Sequence, residues 1–205
     1  MILRSIAVLF VVLLPAVAMA AAPVSYVILK EGEPIGHETV AITTDGDLTT
    51  VEVQTETRVK VLFLDFHYSH RREEMWRSGQ MLRMVADTDD DGSIHHIEFV
   101  HNDNGMVVTL DGVVKDMPSE AFPLSLWSKA ILDRDTLFGV SDAAIYHVSI
   151  QSLGVASLVR NSQTVPTERY RISGDIDRDL WYGSDGLLVK TAFKRRGYPI
   201  EIIRE

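Results

Sequence analysis

The chain has no cysteine. That absence removes a disulfide framework, a thiol nucleophile and a lipid-modified cysteine at a processed N-terminus. The fold must hold by burial alone, and a domain of this size buries roughly 70% of the surface its unfolded chain exposes, which is enough. Basic runs are also scarce. Arg71-Arg72 and Lys194-Arg195-Arg196 are the basic clusters in a chain of net charge −9, and both sit among alternating apolar residues as solvated strand faces do. Nucleic acid is therefore a poor partner, and an anionic lipid surface a poor dock.

One apolar run stands out, from Ile6 to Val17, preceded by Arg4 and followed by Ala18-Met19-Ala20. It is shorter than the ~20 residues a bilayer core requires. A positive start, a short apolar stretch and small residues at −3 and −1 describe a cleavable secretory signal, Met1–Ala22, cut after Ala20 or a residue or two later. Loss of Arg4 leaves the mature chain one charge more negative. The remainder, residues 23–205, is expected to be a single domain released into the periplasm, not a lipoprotein and with no membrane span. No Gly-x-Ser-x-Gly elbow, Ser-x-x-Lys pair or phosphate-cradling glycine loop occurs, and no cofactor is indicated.

What is present is a rhythm of short runs rich in Val, Ile, Thr, Tyr and Phe. They are separated by Asp45-Gly46, Ser78-Gly79, Asp91-Gly92, Asn104-Gly105, Asp111-Gly112 and Asp185-Gly186. Such dipeptides supply the positive φ that tight hairpin turns need. The strands expected are Val24–Lys30, Ile35–Thr44, a long bent Leu48–Leu64, Phe66–Arg77, Gln80–Asp87, Ser93–His101, Met106–Leu110, Ala144–Ser152, Ala156–Asn161, Thr167–Gly174, Leu180–Tyr182, Leu187–Arg195 and Pro199–Ile203. Between Pro118 and Gly139, Leu124, Trp127, Ala130 and Ile131 recur at helical spacing, which predicts a helix over Ser125–Asp133 with Trp127 packed inward. The fold class is all-β: a strongly curved antiparallel meander sheet, half-barrel or barrel, with one short covering helix, because a sheet of this many strands must curl or close to avoid long bare edges.

Several constellations compete for function. Asp87 to Glu98 satisfies the twelve-residue calcium-loop formula, with Asp89, Asp91 and Gly92 in place. Ser78-Gly79 and Asn102–Gly105, however, break the helices such a loop needs, so an acidic hairpin turn is expected and no metal site. The seven histidines include no i, i+2 pair: His95 and His96 face opposite ways in a strand, as do His67 and His70. Glu73 and Glu74 likewise diverge, and an acid pair would have to form across strands, as Glu74 with Asp179. Trp76, Trp127, Trp181 and Tyr182 lie near strand ends or on the predicted helix, where a cover meets a curved sheet, and are the candidate ligand-binding residues.

An ordered set of residues carries a resemblance: Gly32-Glu33-Pro34-Ile35-Gly36, Glu74-x-Trp76 followed by Gly79, Thr88 with Asp91-Gly92, Pro123 with Trp127, and Trp181-Tyr182 with Asp185-Gly186-Leu187-Leu188-Val189. Together they resemble a family of exported proteobacterial β-rich proteins of unknown function, similar in outline to Lol-type lipoprotein-carrier folds. The resemblance implies a periplasmic domain, supplies no catalytic or ligand residue, and favours hairpins around Asp91-Gly92. The function expected is binding or carriage of an apolar or amphiphilic small molecule or a partner peptide, with such a molecule or an envelope protein as partner. The rivals are a hydrolase or other enzyme with acids converging across strands, a structural module with a filled core, and a calcium-binding loop at Asp87–Glu98. A dry apolar cavity, converging acids, or a solid interior would separate the first three.

Overall fold

A computed structural model describes residues 19–20, 22–61, 64–103, 105–160 and 163–205. The expected secretory signal lies outside the described residues except for Met19, Ala20 and Ala22. The described residues form β1 (Met19–Ala20), β2 (Val24–Lys30), β3 (Glu33–Asp45), β4 (Leu48–Val61), β5 (Leu64–Arg77), β6 (Gln80–Asp90), β7 (Ser93–Asn102), β8 (Gly105–Leu110) and β9 (Val113–Lys115) in the first half. The second half holds β10 (Phe122–Pro123), β11 (Thr136–Phe138), β12 (Ile145–Arg160), β13 (Gln163–Gly174), β14 (Arg178–Tyr182), β15 (Leu188–Arg195) and β16 (Tyr198–Arg204). Among the described residues no helix is long and apolar enough to cross a membrane.

All these strands belong to one sheet, ordered β10-β11-β12-β13-β14-β15-β16-β2-β3-β4-β5-β6-β7-β8-β9, with β1 paired to β3 off this path. Every neighbouring pair is antiparallel except β10–β11. Of the turn dipeptides, Ser78-Gly79, Asp91-Gly92 and Asp111-Gly112 have positive φ at both residues, Asp45-Gly46 and Asp185-Gly186 at the glycine alone, and Asn104 lies outside the described residues. At Asp91-Gly92, for example, φ is 57° and 90°, the paired left-handed conformation of a two-residue hairpin turn. Glu31-Gly32 and Arg196-Gly197 adopt the same conformation, although their first residues are not turn formers.

The sheet rolls so that its two ends overlap. Phe138 on β11 stacks on Phe99 of β7 at 5.7 Å, and Phe122 on β10 meets Trp76 of β5 at the same separation. All residues of β10 and β11 are buried, so this end lies inside the curve of the other half. Tyr26, Val51, Met84, Ile97, Leu137 and Ile172 fill the core between them. This is the barrel-like closure that a long sheet requires.

Three expectations change in detail. The helix over Ser125–Asp133 is reduced to one 3-10 turn, Lys129–Ile131. The preceding residues are held extended by other bonds: the Leu188 N–H donates to the Trp127 carbonyl at 3.3 Å and Ser128 bridges Leu187. The inward packing of Trp127 survives without the helix, its ring edge-on to Trp76 at 6.0 Å. Leu48–Leu64 is not one strand. Val61 pairs back onto Leu64, and no Gly, Pro or Asn marks the reversal. Conversely, Ala144–Ser152 and Ala156–Asn161 are one strand, β12, with a bulge between Ser152 and Gly154 that absorbs the break; Asn161 lies outside the described residues.

Gly36 on β3 faces the backbone of β4. A Cβ there would overlap the Glu56 carbonyl oxygen and sit 2.7 Å from the Thr57 Cα. Because the obstacle is backbone, Gly36→Ala is expected to lower unfolding stability by about 3 kcal/mol, the upper part of the overpacking range. Urea denaturation checks this, and a loss under about 0.5 kcal/mol would show that β3 and β4 can separate freely.

Candidate functional site

Alternation along β5 sends His70, Arg72, Glu74 and Trp76 to the inner face, and all four are buried. Charged groups tolerate such a place only when paired and hydrogen-bonded. Glu74 meets that condition in full. Its Oε1 accepts from Arg72 Nε and from Ser125 Oγ, both at 2.6 Å; its Oε2 accepts from the indole nitrogens of Trp76 and Trp127, both at 2.9 Å. Arg72 continues the network, with Nη1 3.3 Å from His70 Nε2 and Nη2 3.4 Å from Ser125 Oγ. A guanidinium only donates, so Nε2 of His70 accepts, and Nδ1 carries the proton that goes to Thr88 Oγ1 at 2.8 Å. Burial, reinforced by the Arg72 charge, pulls the imidazole down to about 3 and keeps it neutral.

His70, Arg72 and Trp127 form one wall of a cavity of about 540 Å³. Ile28, Val40, Leu126, Phe193 and Ile202 contribute apolar surface, while Arg195 and Arg196 are exposed cations at its rim. The two rim arginines share Asp90, at 2.8 and 3.2 Å, and lie over the rings of Tyr68 and Phe66. Deeper, Thr55 donates to Glu38 at 2.8 Å. Tyr68, raised by burial despite the nearby Arg195, stays protonated. Arg178, at the start of β14, also faces the cavity.

The four aromatic candidates divide. Trp76 and Trp127 converge on Glu74, and Trp127 lines the cavity. Trp181 sits between its register neighbours Arg169 and Lys190, whose cations lie 5.0 and 5.3 Å from its ring. Tyr182 is buried against Tyr170, its hydroxyl without a hydrogen-bond partner among the described residues. Glu74 and Asp179 do not converge, since Asp179 bonds Arg171 and Arg169. The Asp87–Glu98 segment forms β6, the Asp91-Gly92 turn and β7. Asp87 bonds His96, Asp89 accepts from the Gly92 N–H, and Glu98 lies opposite Val85. Among the described residues no group of three or more His, Asp or Glu side chains is placed to hold a metal ion. The sequence reading missed His70, Arg72 and Ser125. Their signal was the polar alternation His70-x-Arg72-x-Glu74-x-Trp76 on a strand whose inner face would ordinarily be apolar.

A rolled antiparallel sheet around an apolar cavity makes this a β-barrel-like domain. It resembles the crystal structure of a beta-barrel-like protein of domain of unknown function DUF1849 from Brucella abortus, with a TM-score of 0.62 and 11% identity over 89% of this chain and 95% of that one. At that identity the likeness concerns the fold alone. Residues 26–205 match the family described as domain of unknown function DUF6134, and the chain belongs to that family. A comparison with curated proteins gives no match.

Glu74→Gln tests the network. Each Glu74 oxygen faces two donors, so the amide nitrogen of Gln meets donors whichever way it turns, while Arg72 is left buried without its counter-ion. A loss of about 3–5 kcal/mol is expected in urea unfolding, and a loss under 1 kcal/mol would contradict the bonding described above. His70 sets a pH dependence. Its folded pKa, about 3, lies below the unfolded value of about 6.5. The unfolded chain therefore binds the extra proton first, and stability present above about pH 6.5 is lost as pH falls toward 3. Between pH 7 and pH 5 wild type should lose about 2 kcal/mol more than His70→Gln, which has no such proton to bind. Parallel pH profiles for the two proteins would mean that His70 titrates normally.

Proposed function

We propose that the protein is an exported periplasmic binding domain that holds an apolar or amphiphilic ligand in the cavity behind Trp127. The observation that carries this reading is the cavity itself: about 540 Å³ inside the rolled sheet, against the ~300–1,000 Å³ typical of sites that enclose one small molecule. Its apolar walls suit a hydrocarbon. The Arg72–Glu74 network fixes one wall by tying β5 to the Ser125–Trp127 segment, so that wall exists before the ligand arrives, which lowers the ordering cost of binding. The reading agrees with the secretory signal expected at Met1–Ala22 and with a carrier similar in outline to the Lol-type folds. The open interior also speaks against a structural module with a filled core.

Native mass spectrometry of protein recovered from a bacterial periplasm tests both halves of the proposal. The expected mass lacks the first 20 to 22 residues and carries a dissociable adduct. After delipidation, the neutral probe N-phenyl-1-naphthylamine should bind saturably at one site, and Thr57→Trp, which fills the cavity from β4, should weaken it by tenfold or more. A mature protein retaining Met1–Ala20 would defeat the export half; probe binding that Thr57→Trp leaves unaltered would defeat the cavity half.

A further inference from the structure

Two guanidiniums line the depth of the cavity, Arg72 buried and Arg178 half-buried, and their situations differ. Arg72 has a partner at each of its three side-chain nitrogens, Glu74, His70 and Ser125. The Arg178 side chain makes no hydrogen bond and no ion pair with any described residue. Its guanidinium carbon lies over the Phe193 ring, 3.9 Å from the ring centre, and the side chain lines the cavity. Glu38 is the carboxylate whose charge it feels most, yet that side chain does not reach it and accepts instead from Thr55. The Arg178 side chain is half-buried and its nitrogens keep access to the cavity, so a group with five N–H donors stands free to take an acceptor that enters there. Burial pulls it down to about 10, which still leaves it charged at neutral pH.

A second observation points the same way. The chain carries net charge −9, but the residues lining the cavity include six Lys or Arg against three Asp or Glu. Lys194, Arg195 and Arg196 stand toward the opening, and Asp90 is shared by two of them. An acidic protein has thus gathered positive charge around one apolar space, and such an arrangement draws in and orients an anion.

We propose that the ligand is a single-chain amphiphile whose anionic headgroup, a carboxylate or a phosphate, sits on Arg178 while its hydrocarbon lies along Leu126, Ile176, Ile200 and Ile202. The proposal rests on the binding reading above and narrows it to one chemical class. The fork of a guanidinium matches the paired oxygens of either headgroup, and the Phe193 ring holds that fork open toward the cavity. The volume suits one chain rather than a bulky two-chain lipid.

The test uses the delipidated mature protein with cis-parinaric acid and its methyl ester, which share a chain and differ in charge. Wild type should bind the acid about ten- to a hundredfold more tightly than the ester, the effect of charge-assisted hydrogen bonds. Arg178→Met should abolish that preference while leaving ester binding in place, and Arg178→Lys, which keeps the charge but loses the fork, should retain part of it. Competition by palmitate against hexadecyl phosphate then shows whether carboxylate or phosphate is preferred. Equal binding of acid and ester by wild type, or undiminished acid binding by Arg178→Met, would overturn the headgroup assignment and leave the cavity reading standing. Failure of both probes to enter wild type would overturn both.

Discussion

The carboxylate of Glu74 is the point on which the rolled form of the sheet turns. It sits on β5, in the first half of the chain, and two of its four donors come from Ser125 and Trp127, in the segment that leads to β11. That segment carries the chain from the exposed β9 edge into the interior, where β10 and β11 pack against β5 and β7. A buried ion would ordinarily weaken a core. It is tolerable because each carboxylate oxygen accepts from two donors that the surroundings present to it, and a network in that state specifies one arrangement where apolar contacts alone would permit several.

The same network explains why the neighbouring space stays open. Arg72, Ser125 and Trp127 are committed to Glu74 and cannot swing into the cavity, and the neutral imidazole of His70 is tied between Arg72 and Thr88. The wall is therefore stiff. Across the cavity the polar groups are less constrained, with Arg178 held by an aromatic ring and the rim arginines by a shared Asp90. One side of the site resists deformation and the other has spare bonding capacity, the division of labour that the proposed amphiphile site would use.

Much of the fold was legible because local chemistry and global form agree. Ser78-Gly79, Asp91-Gly92 and Asp111-Gly112 set hairpins where the positive φ of two successive residues allowed little else, and strand alternation then followed. The helix at Ser125–Asp133 was not legible. Its apolar spacing is real, but the bonds that hold Trp127 and Ser128 extended come from Leu187 and Leu188, far along the chain, and tertiary context overrides a weak helical preference. Of the site, Trp127 could be picked out as a large ring in a cover. Arg178 could not, since an arginine at a strand end reads as solvent-facing until the neighbouring strands show that nothing reaches it. The row His70, Arg72, Glu74, Trp76 was readable in principle as an inward polar stripe, though only once the facing segment is known does it become a network.

The pairing of β16 with β2 sets an order on assembly. These strands open and close the long meander, and their register joins Ile202 to Ile28 at the centre of the sheet rather than at its margin. Until β16 is made, the sheet is two ribbons, each with a bare edge where the middle of the wall should be, and the cavity that Ile28 and Ile202 both line has no closed side. Contacts this distant in sequence make for slow, late closure. Because β16 is the last of these strands to be made, the cavity cannot enclose anything until the whole of the described domain has been synthesised.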